Sequence, residues 1–140
     1  VSETVHATCV AIGGRGVLIA GRSGSGKSDL ALRLIDRGAQ LVSDDYTEVD
    51  SAGGRLVARA PATIAGRMEI RGVGLVEIAA APQAPVCLFV DLDAPPERLP
   101  EPRMRRVAGQ DLPMIALAAL EASAPLKLEQ ALLLFGLPFP

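Results

Sequence analysis

The chain has no tryptophan, one tyrosine and three phenylalanines, too few aromatics for a base-stacking platform that grips single-stranded nucleic acid. Net charge is nearly absent as well. Fourteen basic residues against sixteen acidic ones give −2, which excludes nucleic-acid binding driven by bulk electrostatics. Cys9 and Cys87 are the only cysteines. They are far apart and lack C-x-x-C spacing, so neither a disulfide scaffold nor a zinc module is indicated, and a reducing, cytoplasmic setting is expected. No apolar run approaches the roughly 20 residues of a membrane span, and residues 1–12 lack a basic stretch followed by an apolar one. No membrane partner is expected.

What is present is apolar residue content: 49% of 140 residues, enough to bury the core of one domain. Fourteen glycines and eleven prolines cut the chain into short elements. Val5 to Ile12 and Val17 to Ala20 are β-prone and flank Gly13-Gly14-Arg15-Gly16, which predicts a hairpin. From Ser28 to Arg37 the residues Leu30, Ala31, Leu34 and Ile35 follow helical spacing, and Gly38 sits where a C-terminal cap belongs. A short strand over 39–43 ends in Asp44-Asp45, and a hairpin follows around Ser51 to Gly54. Met68 to Ile78 predicts further strand, Val86 to Val90 a buried strand, and Pro95 to Pro102 a loop. Two helices are expected at the end, Pro113 to Ala122 and Leu126 to Phe135. The run Ala131 to Phe135 would be either buried or an interface.

Between the second strand and the first helix lies Gly21-Arg22-Ser23-Gly24-Ser25-Gly26-Lys27-Ser28, a G-x-x-x-x-G-K-S phosphate loop in the strand–loop–helix context it requires. Its glycines let backbone N–H groups turn toward phosphate oxygens while the helix directs its positive end at the same anion. Lys27 would reach the β- and γ-phosphates and the Ser28 hydroxyl would ligate Mg²⁺. A plain glycine-rich helix cap would account for the glycines but not for the Lys-Ser pair.

Phosphoryl transfer also needs a group that takes the acceptor's proton. Asp44 and Asp45 are the first candidates, because the strand after the loop's helix would bring them to the edge where ligands collect; the alternative is a solvated turn. Asp91 and Asp93 end another apolar strand and compete for the role of metal-associated acid. Glu69 lies among glycines and arginines, and His6 on the first strand; either residue, taken alone, is ordinarily surface. Arg98, Arg103, Arg105 and Arg106 form a basic cluster beside the proline-rich loop, ordinarily a solvated face, although loops near phosphates often supply a charge-stabilising arginine.

The phosphate loop, the Leu41-Val42-Ser43-Asp44-Asp45 strand end and Met68-Glu69-Ile70-Arg71-Gly72-Val73-Gly74-Leu75, in that order and spacing, resemble the C-terminal catalytic domain of bacterial HPr kinase/phosphorylase. The likeness runs from His6 to about Leu120, more weakly in its second half. It implies an α/β P-loop kinase domain with a mixed sheet, hairpins and C-terminal helices, related to the phosphoenolpyruvate carboxykinase type of P-loop fold. It further implies one catalytic domain over 1–140 without the N-terminal domain of longer members, like the short forms of alphaproteobacteria. By the same resemblance His6, Lys27, Asp45 and Arg98 are catalytic, with Arg98 matched through Glu97-Arg98-Leu99. ATP would be bound by Gly21, Arg22, Ser23, Gly24, Ser25, Gly26, Lys27 and Ser28, and Mg²⁺ by Ser28, Asp44 and Glu69. Asp45 would act as general base in phosphorylation and general acid in reverse. The implied partner is the phosphocarrier HPr, and the implied assembly a homo-oligomer, a hexamer in the family. Two departures stand out: Arg22 where an acidic residue is common, and Gly109-Gln110-Asp111 where a Gly-Arg-Asn segment serves the phosphorylase direction.

The expectation is therefore an ATP-dependent serine kinase acting on HPr in regulation of the phosphotransferase system and of carbon and nitrogen metabolism, with reverse phosphorolysis in question. The rivals are a small-molecule kinase of the shikimate-kinase type and a non-catalytic nucleotide sensor.

Overall fold

The computed structural model describes residues 1–140. Strands β1 (Ser2–Val5), β2 (Ala7–Ile12) and β3 (Arg15–Ala20) open the chain. β2 and β3 make the expected hairpin, but its turn is only Gly13-Gly14, at φ 57° and 82°, because Arg15 and Gly16 already pair with Ile12 and Ala11. Two successive positive φ values give the turn whose twist matches the flanking strands, and glycine reaches them without a Cβ clash.

Helix α1 (Lys27–Asp36) follows the glycine loop and buries Leu30, Ala31 and Leu34 along one stripe. It ends as its sequence indicates: with Gly38 at φ 107°, the Ala39 N–H returns to the Leu34 carbonyl at 3.1 Å and the Gly38 N–H to Ile35 at 3.0 Å. Then come β4 (Gln40–Ser43), β5 (Thr47–Ala52) and β6 (Arg55–Arg59). The stretch expected as further strand folds into a separate two-stranded hairpin, β7 (Arg67–Ile70) and β8 (Gly74–Glu77). β9 (Ala84–Asp91), β10 (Arg103–Val107), β11 (Gln110–Ala116) and α2 (Ala124–Phe135) complete the chain.

The expected helix over 113–122 is not formed. Residues 110–116 are strand β11, paired antiparallel with β10 through a turn at Ala108-Gly109, φ 45° and 80°, and parallel with β9 from Met114 to Ala116. Pro113 is compatible with this placement because it faces Met104 in the hairpin and lies before the stretch paired with β9. Long-range pairing has overridden a local composition that favours helix, so a single C-terminal helix remains. In α2, Ala131 and Leu132 are buried whereas Leu133 and Leu134 are exposed, which divides the terminal apolar run between core and surface. No helix is long and apolar enough to cross a membrane.

The main sheet runs β1-β5-β6-β9-β3-β2-β4. β9 is its fork. One edge takes β3 in parallel; the other takes β6 at Ala84 and Pro85 and β11 at residues 89–91, so the sheet splits and curls. A Cβ on Gly16 would lie 2.8 Å from the Pro85 carbonyl oxygen, so β3 and β9 approach this closely only because Gly16 has none. β2 is antiparallel to both β3 and β4, which leaves β3 and β4 parallel to each other with their C-terminal ends on one edge. Both faces are covered. Val10, Val17 and Ile19 pack with Leu30, Leu34, Leu128 and Leu132 of the helices. Cys9, Leu18, Val49, Leu56, Phe89 and Leu112 form a second core inside the curl.

Cys9 and Cys87 are free and buried, and burial pushes the Cys9 thiol from an ordinary 9.0 up to about 12. At pH 8 the native protein is expected to leave both thiols unreacted with an aromatic disulfide reagent, whereas unfolded chain reacts at both. Between pH 9 and about 12 the unfolded thiol ionises while the folded one keeps its proton, so stability falls as pH rises across that window. Urea unfolding at pH 8 and 10.5 should show a smaller decline in Cys9→Ala than in the parent; equal declines would contradict the assignment.

Candidate active site

The loop from Gly21 to Ser28 leaves the end of β3 and enters α1. A Cβ on Gly21 would strike Ser25 and approach Leu92 Cβ at 3.2 Å, so the loop closes on itself only with glycine there. Gly24 and Gly26 hold φ of 83° and 98°. The first N–H groups of α1 are uncapped by any side chain, and those of Gly24, Gly26, Lys27 and Ser28 meet no protein acceptor. They give this side of the cleft a row of free donors at the positive end of a helix. Lys27 is 5% exposed; its Nζ donates to the Gly21 carbonyl at 2.7 Å and the Arg22 carbonyl at 3.3 Å, and lies 3.8 Å from Asp45 Oδ1.

The aspartates at the end of β4 meet this loop across a cleft of about 400 Å³. Asp44 is 7% exposed. Its Oδ1 accepts from Ser28 Oγ at 2.6 Å and Thr8 Oγ1 at 3.2 Å, and its Oδ2 from the Glu69 N–H at 3.1 Å. Asp45 is half exposed and faces His6, with Nε2 to Oδ1 at 3.0 Å. The His6 ring stacks on Tyr46 with centroids 4.9 Å apart. Asp45 has φ 66°, and the Tyr46 N–H bonds back to the Asp44 carbonyl at 2.7 Å. That is a γ-turn centred on Asp45 with positive φ, a rare backbone form costing on the order of 1–3 kcal/mol.

Of the eight loop residues singled out from sequence, Ser23, Gly24, Gly26, Lys27 and Ser28 line the cleft. Gly21, Arg22 and Ser25 build the base of the loop instead: Ser25 N–H donates to the Arg22 carbonyl, and Arg22 N–H to Asp93 at 3.0 and 3.2 Å. Asp93 in turn is held by Asp91, whose Oδ1 accepts its N–H at 2.8 Å. The rival pair of carboxylates thus braces the loop from behind and does not line the cleft. Asp44, Asp45 and Glu69 do line it.

Arg98 is not brought to this cluster. It stands exposed on the segment after β9 and lines a different groove, against α2. Arg103, Arg105 and Arg106 lie on β10, where Arg106 pairs with Asp111 at 3.2 Å and Arg105 covers the Phe89 ring. Gln110 donates to Ser51 Oγ, and none of Gly109, Gln110 and Asp111 lines the cleft. Two residues that sequence reading does not single out are at the site. Arg71 lines the cleft, and its signal is its place within Met68 to Leu75. Thr8 is fully buried beneath the aspartates; its signal is its place in the alternating run from Val5 to Ile12, two residues after His6, which in the structure forms the break between β1 and β2.

The donor set suits a hard divalent cation: the Ser28 hydroxyl and Asp44 carboxylate sit together, and Glu69 lines the same cleft. No group of three or more His, Cys, Asp or Glu side chains converges. Such a site would leave most ligand positions to phosphate and water, as Mg²⁺ prefers. The buried Ser25 hydroxyl, without a partner in the protein, is a further polar group in the loop.

Fold and site define a mixed α/β domain with a curled sheet, a glycine loop opening a helix and paired aspartates at the end of the edge strand β4. A model of the HPr Serine kinase C-terminal domain matches residues 1–82, more than half of the chain, and the chain belongs to that family. The HPr kinase/phosphorylase of Brevibacillus brevis is 49% identical over 78 residues, 55% of this chain and 25% of that protein. That of Clostridium beijerinckii is 42% identical over 74 residues, 53% of this chain and 24% of the relative. These matches span about a quarter of each curated relative. The solved HPr(Ser) kinase/phosphatase from Coxiella burnetii superposes with a TM-score of 0.81 at 30% identity, covering 91% of this chain and 87% of that one.

If Asp93 braces the loop, Asp93→Ala should lower stability by about 1–2 kcal/mol in urea unfolding, as loss of an N-cap carboxylate does. Any loss in affinity for ATP should be the same with and without Mg²⁺. A loss confined to the Mg²⁺-dependent part would instead restore Asp93 as the metal-associated acid.

Proposed function

We propose that this domain is a MgATP-dependent kinase that phosphorylates a seryl hydroxyl on the phosphocarrier protein HPr. The observation that carries the proposal is the meeting of Lys27 and His6 on the carboxylate of Asp45, at 3.8 and 3.0 Å, at the rim of the phosphate-loop cleft. Family membership supports a protein-serine acceptor over the shikimate-kinase alternative. So does exposure: Asp45 is 50% and His6 40% exposed, accessible to a hydroxyl carried on a protein surface.

The loop N–H groups and the α1 terminus hold the phosphates. Ser28 and Asp44, with Glu69 beside them, would hold Mg²⁺, which when bound neutralises charge on phosphate oxygens. Asp45 takes the proton of the seryl hydroxyl as its oxygen bonds to the γ-phosphorus and the bond to the β–γ bridging oxygen breaks, releasing ADP. His6 orients the Asp45 carboxylate. Lys27 and Arg71, the cations lining the cleft, stabilise charge on the transferring group; Arg98 lines the groove on α2 instead. In the reverse direction Asp45 returns the proton to the seryl oxygen as inorganic phosphate attacks phosphoserine, releasing pyrophosphate. A homo-oligomer belongs to the same reading, supported by the exposed Leu126, Leu133 and Leu134 beside the groove on α2.

Purified chain is assayed with MgATP and HPr, and in parallel with small polyols and hydroxy acids. Transfer to HPr alone is expected. Asp45→Ala should reduce that transfer by roughly 100- to 10,000-fold while ATP affinity stays within about threefold. Unchanged turnover in the variant removes Asp45 from its role, and transfer to a small molecule instead of HPr overturns the acceptor.

A further inference from the structure

Thr8 is 0% exposed, and its single hydroxyl serves both aspartates. The oxygen accepts the Asp45 N–H at 3.0 Å, which leaves its own proton to be donated to Asp44 Oδ1 at 3.2 Å. Asp44 Oδ1 also receives the Ser28 hydroxyl proton at 2.6 Å, an arrangement that leaves the Ser28 lone pairs free to face a cation. The peptide N–H held by Thr8 belongs to the residue at the centre of the positive-φ γ-turn. A strained turn persists only where its surroundings over-determine it. Here the fixing contact on the backbone comes from Thr8, and the fixing contact on the side chain from His6.

We infer that Thr8 is a positioning residue for phosphoryl transfer, its buried hydroxyl holding the turn that aims Asp45 while orienting Asp44 toward Ser28. The inference rests on the kinase reading above for its catalytic consequence. Its structural content is independent of that reading. Valine has the shape of threonine without the donor or the acceptor, so Thr8→Val would leave the Asp45 N–H without its partner and one Asp44 donor missing. Serine keeps the hydroxyl and loses only a methyl group.

The test measures two quantities on the full chain and on Thr8→Val and Thr8→Ser: amide hydrogen exchange at Asp45, and steady-state transfer from MgATP to HPr. The wild-type Asp45 amide should be protected. In Thr8→Val its exchange should quicken by about tenfold or more relative to amides of β9, and kcat should drop on the order of 10- to 100-fold with the KM for ATP within about threefold. Thr8→Ser should return both readouts to within about threefold of wild type. An unprotected Asp45 amide in the wild type overturns the inference whether or not Thr8→Val folds. So does unchanged kcat in Thr8→Val, or an equal defect in Thr8→Ser, which would mark a packing role for the methyl group. Wild-type chain inactive on HPr, with the exchange pattern as expected, would overturn the kinase reading and still support the hold of Thr8 on Asp45.

Discussion

The carboxylate of Asp44 is buried, and a buried charge survives only with its lone pairs satisfied. Its donors come from three places far apart in the chain: Thr8 in β2, Ser28 in α1 and the Glu69 N–H in β7. One charge therefore ties the first hairpin, the helix after the glycine loop and the small β7–β8 sheet to the end of β4. α1, β7 and the end of β4 are also walls of the cleft, and Thr8 of the first hairpin lies buried beneath them, so the interactions that close the fold at this edge are those that shape the site. Losing any one donor would leave the charge under-satisfied, and this restricts what β2, α1 and β7 can carry at these positions.

Legibility from sequence follows the range of the interaction. The glycine loop, α1 and its Gly38 stop are decided by residues within a few positions of one another, and spacing alone reveals them. β11 is held by β9, where Met114 stands opposite Phe89, and β10 pairs only with β11, whereas Pro113, Met114 and the alanines that follow read locally as helix. The aspartate pairs show the same limit at the site. Asp44-Asp45 and Asp91/Asp93 both end strands that reach one edge, and only geometry turns Asp93 toward the Arg22 N–H and away from the cleft. Thr8 is written in the strand's alternation with His6, yet its partner Asp44 is 36 residues on. Arg98 has no local feature that fixes where its loop goes.

Burial across the cleft is graded. Lys27 and Asp44 on the floor are 5% and 7% exposed, whereas Asp45 and His6 at the rim are 50% and 40% exposed. The ammonium of Lys27 is held by the Gly21 and Arg22 carbonyls, so its place is set by the loop even though its anionic neighbour lies at the surface. Under the kinase reading this gradient divides the labour. Charge stabilisation is preorganised in a low-dielectric floor, where it is strongest, and proton transfer is left at the rim, where a hydroxyl on a folded protein can reach it.

Adjacency of the two aspartates poses a geometric problem that the γ-turn solves. Successive residues of an extended strand point to opposite faces. Continued as strand, Asp44 would face the loop and α1 while Asp45 would face away from it. Positive φ at Asp45 breaks the alternation, and both carboxylates line one cleft. Aspartate tolerates that backbone region better than most residues, and the bonds from its N–H to Thr8 and from its carboxylate to His6 hold it there. A buried carboxylate and an exposed one thus come from consecutive residues, and the strain at Asp45 is the physical condition for the two to act in the same site.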